Sequence, residues 1–371
     1  MSQSDGRQPP VPPMPLGHRP TGWDDWDPDA AHRGYTGHMG AVGGILRAPD
    51  PGASLPGTGP QPALPPLRPR GTDPLGPAGL AASVRAHTED YLTIEYNLDD
   101  PGFVELYDAV ILPQWSEPFG RLLLSVFLTQ TRSPGWHVID VACGTGYPTI
   151  ELARFLGQDC DVVGLDIWEA AIRRAREKAG DEWLRNVSFH VGDLLASGLP
   201  SGGFDLVTCN LGLPSFADRR AALGAMARLL HPGGRLLITL PLQAAMREFL
   251  DTYYLTLRDL KLTDFMQQLA RHIQTRPTAA EVRSLVESTG FAVERAVTDA
   301  FTLRFPDARA FLTSPVIQTN FMAMWRGLIP DPTVRRLVFN EVERRLQARA
   351  YANGGELTMT VPMLCVAATR L

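Results

Sequence analysis

Two textures divide the chain. From about residue 83 onward, apolar positions recur at helical or strand spacing between short Gly, Pro and Ser breaks, and before that they do not. Segments 81–91 and 103–112 have helical spacing, and 117–130 is a stronger helix that gathers Leu122, Leu123, Val126 and Phe127 on one face. Ser133-Pro134-Gly135 then interrupts the chain. Beyond it, short apolar runs at 137–141, 161–166, 187–191, 204–209 and 234–240 predict strands, with amphipathic helices predicted at 148–156, 168–179 and 217–230. Strand–helix alternation of this kind predicts a parallel sheet with crossover helices. In the second half, Thr278-Ala279-Ala280-Glu281 spells a capping box behind Pro277, and Gly290 closes the helix it opens. Strands are predicted at 291–304 and 357–369, and helical insertions at 244–273 and 307–350. Insertions attached near strand ends are placed to cover a ligand site. No internal repeat is visible.

Composition sharpens the division. Residues 1–80 hold 17 of the 32 Pro and 14 of the 34 Gly. Such a stretch cannot repay its ordering entropy by burial, so residues 1–82 are expected to be a disordered tail. Within it, residues 22–47 set Trp23, Trp26 and Tyr35 among acids ahead of a short apolar patch. That run reads either as incidental aromatics or as a docking motif for a protein partner. The remainder is expected to form one domain: a helical cap (83–132), an α/β core (133–241) and a C-terminal part with insertions (242–371).

The formal net charge is −5, which gives no electrostatic footprint for nucleic acid. Cys143, Cys160, Cys209 and Cys365 are scattered, with no CxxC pair and no His cluster at zinc spacing. Neither a disulfide framework nor a metal site is expected, and a reducing, cytoplasmic setting is. The longest aliphatic run, 122–128, is far too short to span a membrane. The N-terminus lacks the basic start and apolar block of a secretory signal.

Candidate chemistry concentrates at the ends of the predicted strands. Val138-Ile139-Asp140-Val141-Ala142-Cys143-Gly144-Thr145-Gly146 is an apolar strand that ends in a small-residue turn and enters a helix. Gly144 and Gly146 permit a tight turn and close approach of a ligand, and the helix start offers unpaired N–H groups to a negative group. A dinucleotide fingerprint would place a third Gly where Thr149 stands, so a nicotinamide cofactor loses ground. Asp166 ends the second strand, 22 residues beyond Gly144, where a carboxylate can accept from both hydroxyls of a ribose. Ile167 follows and can pack on a purine face. Asp193, at the tip of the third strand, can accept from an exocyclic amine, Asn210 ends the fourth, and His231-Pro232-Gly233-Gly234 turns into the fifth.

In order and spacing these landmarks resemble class I S-adenosylmethionine-dependent methyltransferases over residues 103–371, most specifically from Val138 to Leu240. The turn and the Pro-Gly-Gly loop are similar to those of small-molecule enzymes related to the ubiquinone/menaquinone C-methyltransferases. The resemblance implies an α/β, Rossmann-like fold with strand order 3-2-1-4-5-7-6 and strand seven antiparallel. It implies that Asp140 and the backbone of Ala142, Cys143, Gly144, Thr145 and Gly146 hold the methionine end of S-adenosylmethionine. It implies further that Asp166 holds the ribose, Ile167 and Leu194 sandwich the adenine and Asp193 reaches its amino group. Asn210 and Leu211 would border the methyl-transfer zone, and the segment containing Tyr107 would close over the cofactor. Ala142 stands where many members have Gly, a departure of one methyl.

The acceptor is expected to be a small apolar or aromatic molecule. His190 and His231 are the histidines nearest the motifs, and both read better as structural than as a general base. Glu95, Tyr96, Tyr107 and His272 fall in segments expected to roof the pocket. Asn210-Leu211-Gly212-Leu213 lacks the Asn/Asp-Pro-Pro-aromatic signature of adenine-N6 enzymes, and Cys209 reads as a buried strand residue, not a cytosine-C5 nucleophile. The rival function is an inactive methyltransferase-fold scaffold or ligand sensor that recruits a partner through the tail.

Overall fold

The strand order is what positions everything else. A computed structural model of the chain describes residues 90–130 and 133–371. The expectations for residues 1–82, including the docking run at 22–47, lie outside the described residues, as does nearly all of the helix expected at 81–91.

Seven strands form one sheet: β1 (His137–Val141), β2 (Asp161–Asp166), β3 (Val187–Val191), β4 (Phe204–Asn210), β5 (Leu230–Pro241), β6 (Phe291–Phe305) and β7 (Leu357–Arg370). Their order is β3-β2-β1-β4-β5-β7-β6, as the family resemblance implied. β1 to β5 run parallel, and β7 inserts antiparallel between β5 and β6. The chain reverses its winding direction between β1 and β4, the crevice where open α/β sheets bind ligands. β1 carries its apolar residues to both faces, with Val138 and Ile139 fully buried, as expected of a central parallel strand.

Helices cover both faces. α1 (Pro101–Leu106) runs into a ten-residue π-helical segment (Tyr107–Ser116), followed by α2 (Glu117–Leu128). α3 (Thr149–Leu156), α4 (Glu169–Asp181) and α5 (Arg219–Leu229) are the crossovers. α6 (Arg247–Asp259), α7 (Thr263–Gln274) and α8 (Ala279–Glu287) lead to β6. Between β6 and β7 come α9 (Ala308–Thr313), the short α10 (Pro315–Ile317), a π-helical turn (Gln318–Met322), α11 (Ala323–Gly327) and α12 (Pro332–Ala352).

The continuous helix expected at 103–112 is instead α-helix that switches to π-helix at Tyr107. Pro113 lies inside that segment; it lacks an N–H and crowds the carbonyl of the preceding turn, which wider i→i+5 winding accommodates. The capping box forms as read: Glu281 N donates to Thr278 Oγ1 at 3.2 Å and Thr278 N to Glu281 Oε2 at 2.7 Å. The two insertions share one aromatic core. In it Trp325, fully buried, stacks on Phe249 at 3.8 Å between ring centroids and on Phe321 at 5.2 Å.

Candidate active site

The site is built where β1 stops. Past Val141 the chain turns through Ala142 (φ 58°), Gly144 (φ 53°) and Gly146 (φ 92°). Gly146 is needed for space as well as for φ, since a Cβ there would stand 3.1 Å from both Ala175 Cβ and Ile150 Cδ1. At Gly144 an added Cβ would meet nothing within 4 Å, because this residue looks into a cavity. Ala142 bears left-handed strain of about 1 kcal/mol. Its methyl fills the space a Cβ on Gly212 would need, the two being only 2.5 Å apart if Gly212 carried one.

Asp166 holds the turn from the next strand. Its Oδ2 accepts from Gly144 N at 2.7 Å and its Oδ1 from Trp168 N at 2.9 Å. Burial raises its pKa above the ordinary carboxylate value, against the partial offset of the N–H groups of Trp168, Gly144 and Ile167. A carboxylate has about four acceptor sites, so it retains capacity toward the cavity it lines.

A roof closes over this wall. Trp168 donates its indole N–H to Leu98 O at 2.8 Å and meets Tyr107 edge-on at 5.3 Å between centroids. The Tyr107 hydroxyl is hydrogen-bonded to Ser116 Oγ at 2.9 Å, and burial pushes its pKa up to about 12. Asp108, buried, accepts from the Thr145 hydroxyl and pairs with Arg174 and Lys178, both at 2.9 Å. One carboxylate thus ties the π-helical roof to the glycine turn and to α4.

The cavity of about 630 Å³ continues past the end of β4. Asn210 is held rigidly: Thr239 Oγ1 donates to its Oδ1 at 2.6 Å, and its Nδ2 donates to Ser116 O at 3.1 Å. Leu211 adopts φ 65°, with its N–H on Thr239 O at 3.1 Å. Beyond them the wall is formed by Trp115, Arg276, Thr319 and Phe321, with the Trp115 and Phe321 rings T-shaped at 5.2 Å. Both π-helical segments contribute to this lining.

A family model described as "Methyltransferase domain" matches residues 132–290. The chain is 30% identical over 276 residues to nocamycin O-methyltransferase of Saccharothrix syringae, covering 70% of this chain and 93% of that protein. The chain belongs to the class I S-adenosylmethionine-dependent methyltransferases. The ubiquinone/menaquinone biosynthesis C-methyltransferase UbiE of Teredinibacter turnerae is 33% identical over 169 residues, 43% of this chain and 68% of that one. Among solved structures, the YcgJ protein of Bacillus subtilis superposes with TM-score 0.45 at 16% identity, covering 67% of this chain and 98% of that one.

Within this methyltransferase, Ala142, Cys143, Gly144, Thr145, Asp166, Asn210, Leu211 and Tyr107 all line the one cavity. Asp140 stands elsewhere. Its side chain is fully buried, with Thr149 Oγ1 donating to Oδ2 at 2.6 Å and Thr208 Oγ1 to Oδ1 at 2.7 Å. It braces the turn from beneath, and burial lifts its pKa to about 6. Gly146 packs inward, and Ile167, Asp193 and Leu194 are absent from the cavity lining. Ile167 is 40% exposed, Asp193 Oδ1 accepts from Leu195 N at 2.9 Å, and Leu194 is buried in the core. Trp168, one residue beyond Ile167, is the side chain that faces the cavity beside Asp166.

Neither candidate histidine lines the cavity. His190 bonds to Ser188 and is driven down to about 4 by burial and the nearby Arg176. His231 pairs with Asp205 at 3.1 Å, at the entry to β5, away from the strand ends that build the site. Of the expected roof residues, Tyr96 packs on Phe103 and Glu95 pairs with Arg326. Burial raises the Cys209 thiol, in keeping with a buried strand residue. Arg276 and Thr319 had no signal in the motif pattern, and Asp108 lies in the Tyr107 segment that the resemblance placed over the cofactor, with no role of its own implied there. The only available hint for Trp168 was its place two residues after a strand-ending acid.

Proposed function

We propose that this methyltransferase moves a methyl group to a small, apolar or aromatic acceptor held between the end of β4 and the insertions. The observation that carries the reading is one continuous cavity, with Asp166 and the Gly144 turn on one wall and Trp115 and Phe321 on another. The similarity to nocamycin O-methyltransferase supports a small-molecule acceptor.

The residues present fit the cofactor. Gly144 leaves its Cβ position open to the cavity, Asp166 offers carboxylate capacity there, and the backbone of Ala142 to Thr145 borders the same space. In the proposed arrangement Asp166 accepts from the ribose, the turn backbone meets the methionine carboxylate, and Trp168 and Tyr107 cover the nucleoside. Asp140 acts on this site only through the turn it braces. Ile167, Asp193 and Leu194 remain the proposed adenine border, outside the lining of the main chamber. Bound S-adenosylmethionine supplies an electrophilic sulfonium methyl. The chain's part is to align the acceptor near Asn210 and Leu211 and to keep water out beneath the aromatic roof.

Calorimetry of the full chain with S-adenosylhomocysteine tests the assignment. Wild type binds, and Asp166→Ala weakens binding at least tenfold, about 1.4 kcal/mol, while remaining folded by circular dichroism. Equal affinity of the two proteins would remove Asp166 from the cofactor site.

A further inference from the structure

Among the described residues, Arg276 is a charge with no counter-charge. It lies in the connection between α7 and α8, lines the cavity and is 7% exposed. Its Nη1 donates to Ala245 O, whereas its Nη2 is buried and has no hydrogen-bond partner. The guanidinium sits 5.6 Å from the centre of the Phe321 ring. Burial pulls its pKa down to about 10, which leaves it charged at neutral pH.

Among the described residues, no carboxylate pairs with it. Glu281 lines the same cavity, but its Oε2 already accepts from Thr278 N at 2.7 Å and Thr278 Oγ1 at 2.8 Å. His272, whose charge state feels Arg276, is held neutral: burial and that guanidinium lower its pKa to about 4. Thr319 lines the same cavity, and among the described residues its hydroxyl is likewise buried without a partner. Two orphaned donors therefore belong to residues that line one cavity. A buried unpaired cation is costly to keep, and the cost is removed when a bound anion completes it.

The cofactor is an unsuitable source of that anion. Arg276 is tied to Ala245, just beyond β5, while Asp166 ends β2. Those strands are three positions apart in the sheet, about 14 Å at the usual strand spacing. The methionine carboxylate belongs to the β1 turn, and Arg276 belongs to the acceptor side.

We propose that Arg276, together with Thr319 of the same cavity lining, binds an anionic oxygen on the methyl acceptor, so that acceptors of this enzyme are planar oxyanions, either carboxylates or enolates. This rests on the reading of the cavity as a joint cofactor and acceptor site. A planar guanidinium fork suits a delocalised oxyanion in a way an ammonium does not. It also fits the lining, where among the described residues Asp166 and Glu281 are the only carboxylates and both are already hydrogen-bonded. An acceptor that arrives ionised needs no proton removed.

The test uses the full chain loaded with S-adenosylhomocysteine and two matched probe pairs, phenylacetate with phenylacetamide and dimedone with its methyl enol ether. Binding is read by calorimetry on wild type, Arg276→Gln and Arg276→Lys. In wild type at least one anion binds tenfold or more tightly than its neutral partner, and which one does so separates carboxylate from enolate. Arg276→Gln abolishes that preference, Arg276→Lys keeps a weakened form of it, and both retain wild-type affinity for S-adenosylhomocysteine. Three results overturn the proposal: no anion preference in wild type, a preference that survives Arg276→Gln, or a loss of S-adenosylhomocysteine affinity in that variant. The wild-type comparison stands even if a variant fails to fold. Failure of wild type to bind S-adenosylhomocysteine would instead refute the cofactor reading.

Discussion

Asp140 offers the most quantitative test of how the turn is built. Its carboxyl is fully buried among two threonine hydroxyls, and its pKa rises from 3.8 to about 6 because burial outweighs those two hydrogen bonds. A shift of about 2 units corresponds to about 3 kcal/mol between the protonation states. The folded protein holds this proton more tightly than the unfolded chain. The group's contribution is therefore fully present below pH 3.8 and is lost as pH rises through about 6. Between pH 4.5 and 7 the expected loss is about 2 kcal/mol, the steepest part lying near pH 5. Asp140→Asn retains one acceptor for a threonine hydroxyl and gains a donor for the other, and it carries no charge. Urea unfolding of wild type and variant across that range isolates the group, because other titrations cancel in the difference. Wild type should lose about 2 kcal/mol relative to the variant as pH rises, and the variant should be the more stable protein at pH 7. A flat difference, or one that grows in favour of wild type, would refute the claim that burial dominates at Asp140.

Other expectations follow from the same walls. Gly212→Ala would place a Cβ 2.5 Å from Ala142 Cβ and 2.7 Å from Cys209 Sγ, so it should cost about 1–3 kcal/mol in thermal or denaturant unfolding. Pairing it with Ala142→Gly removes the clashing methyl and should recover much of that loss, a coupling that a double-mutant cycle measures directly. Asp108→Ala removes the carboxylate shared by Thr145, Arg174 and Lys178 and leaves two cations without it; a loss of about 2 kcal/mol is expected, together with weaker S-adenosylhomocysteine binding as the roof loosens. Unchanged affinity in a destabilised Asp108→Ala protein would show that the roof does not gate the cofactor.

Features written in consecutive residues were legible in the sequence. The five parallel strands, the Gly144 turn, the acid ending β2 and the Thr278 capping box all rest on local periodicity or local backbone demands, and each strand lies within a few residues of its expected place. β5 is the widest miss: it begins at Leu230, not at 234, because Leu230 pairs with Phe204 ahead of an irregularity in the ladder. What stayed hidden depends on partners far apart in the chain. Asp140 faces Thr149 and Thr208, so whether it lines the cavity or braces it could not be read from its place in an apolar run. The choice between Ile167 and Trp168 depends on how the chain turns after β2. Arg276 meets Ala245 and Phe321, 31 and 45 residues away, and its lack of an acid appears only when the insertions are packed.

A crystal structure of the full chain with S-adenosylhomocysteine decides whether the cofactor sits at the ends of β1 and β2. Ribose hydroxyls are expected within hydrogen-bonding distance of Asp166, the homocysteine carboxylate against the Ala142–Thr145 backbone, and the sulfur facing open space beside Asn210 and Leu211. Space should remain between that sulfur and Arg276. A ligand seated with its carboxylate on Arg276, or lying outside this cavity, would contradict that placement.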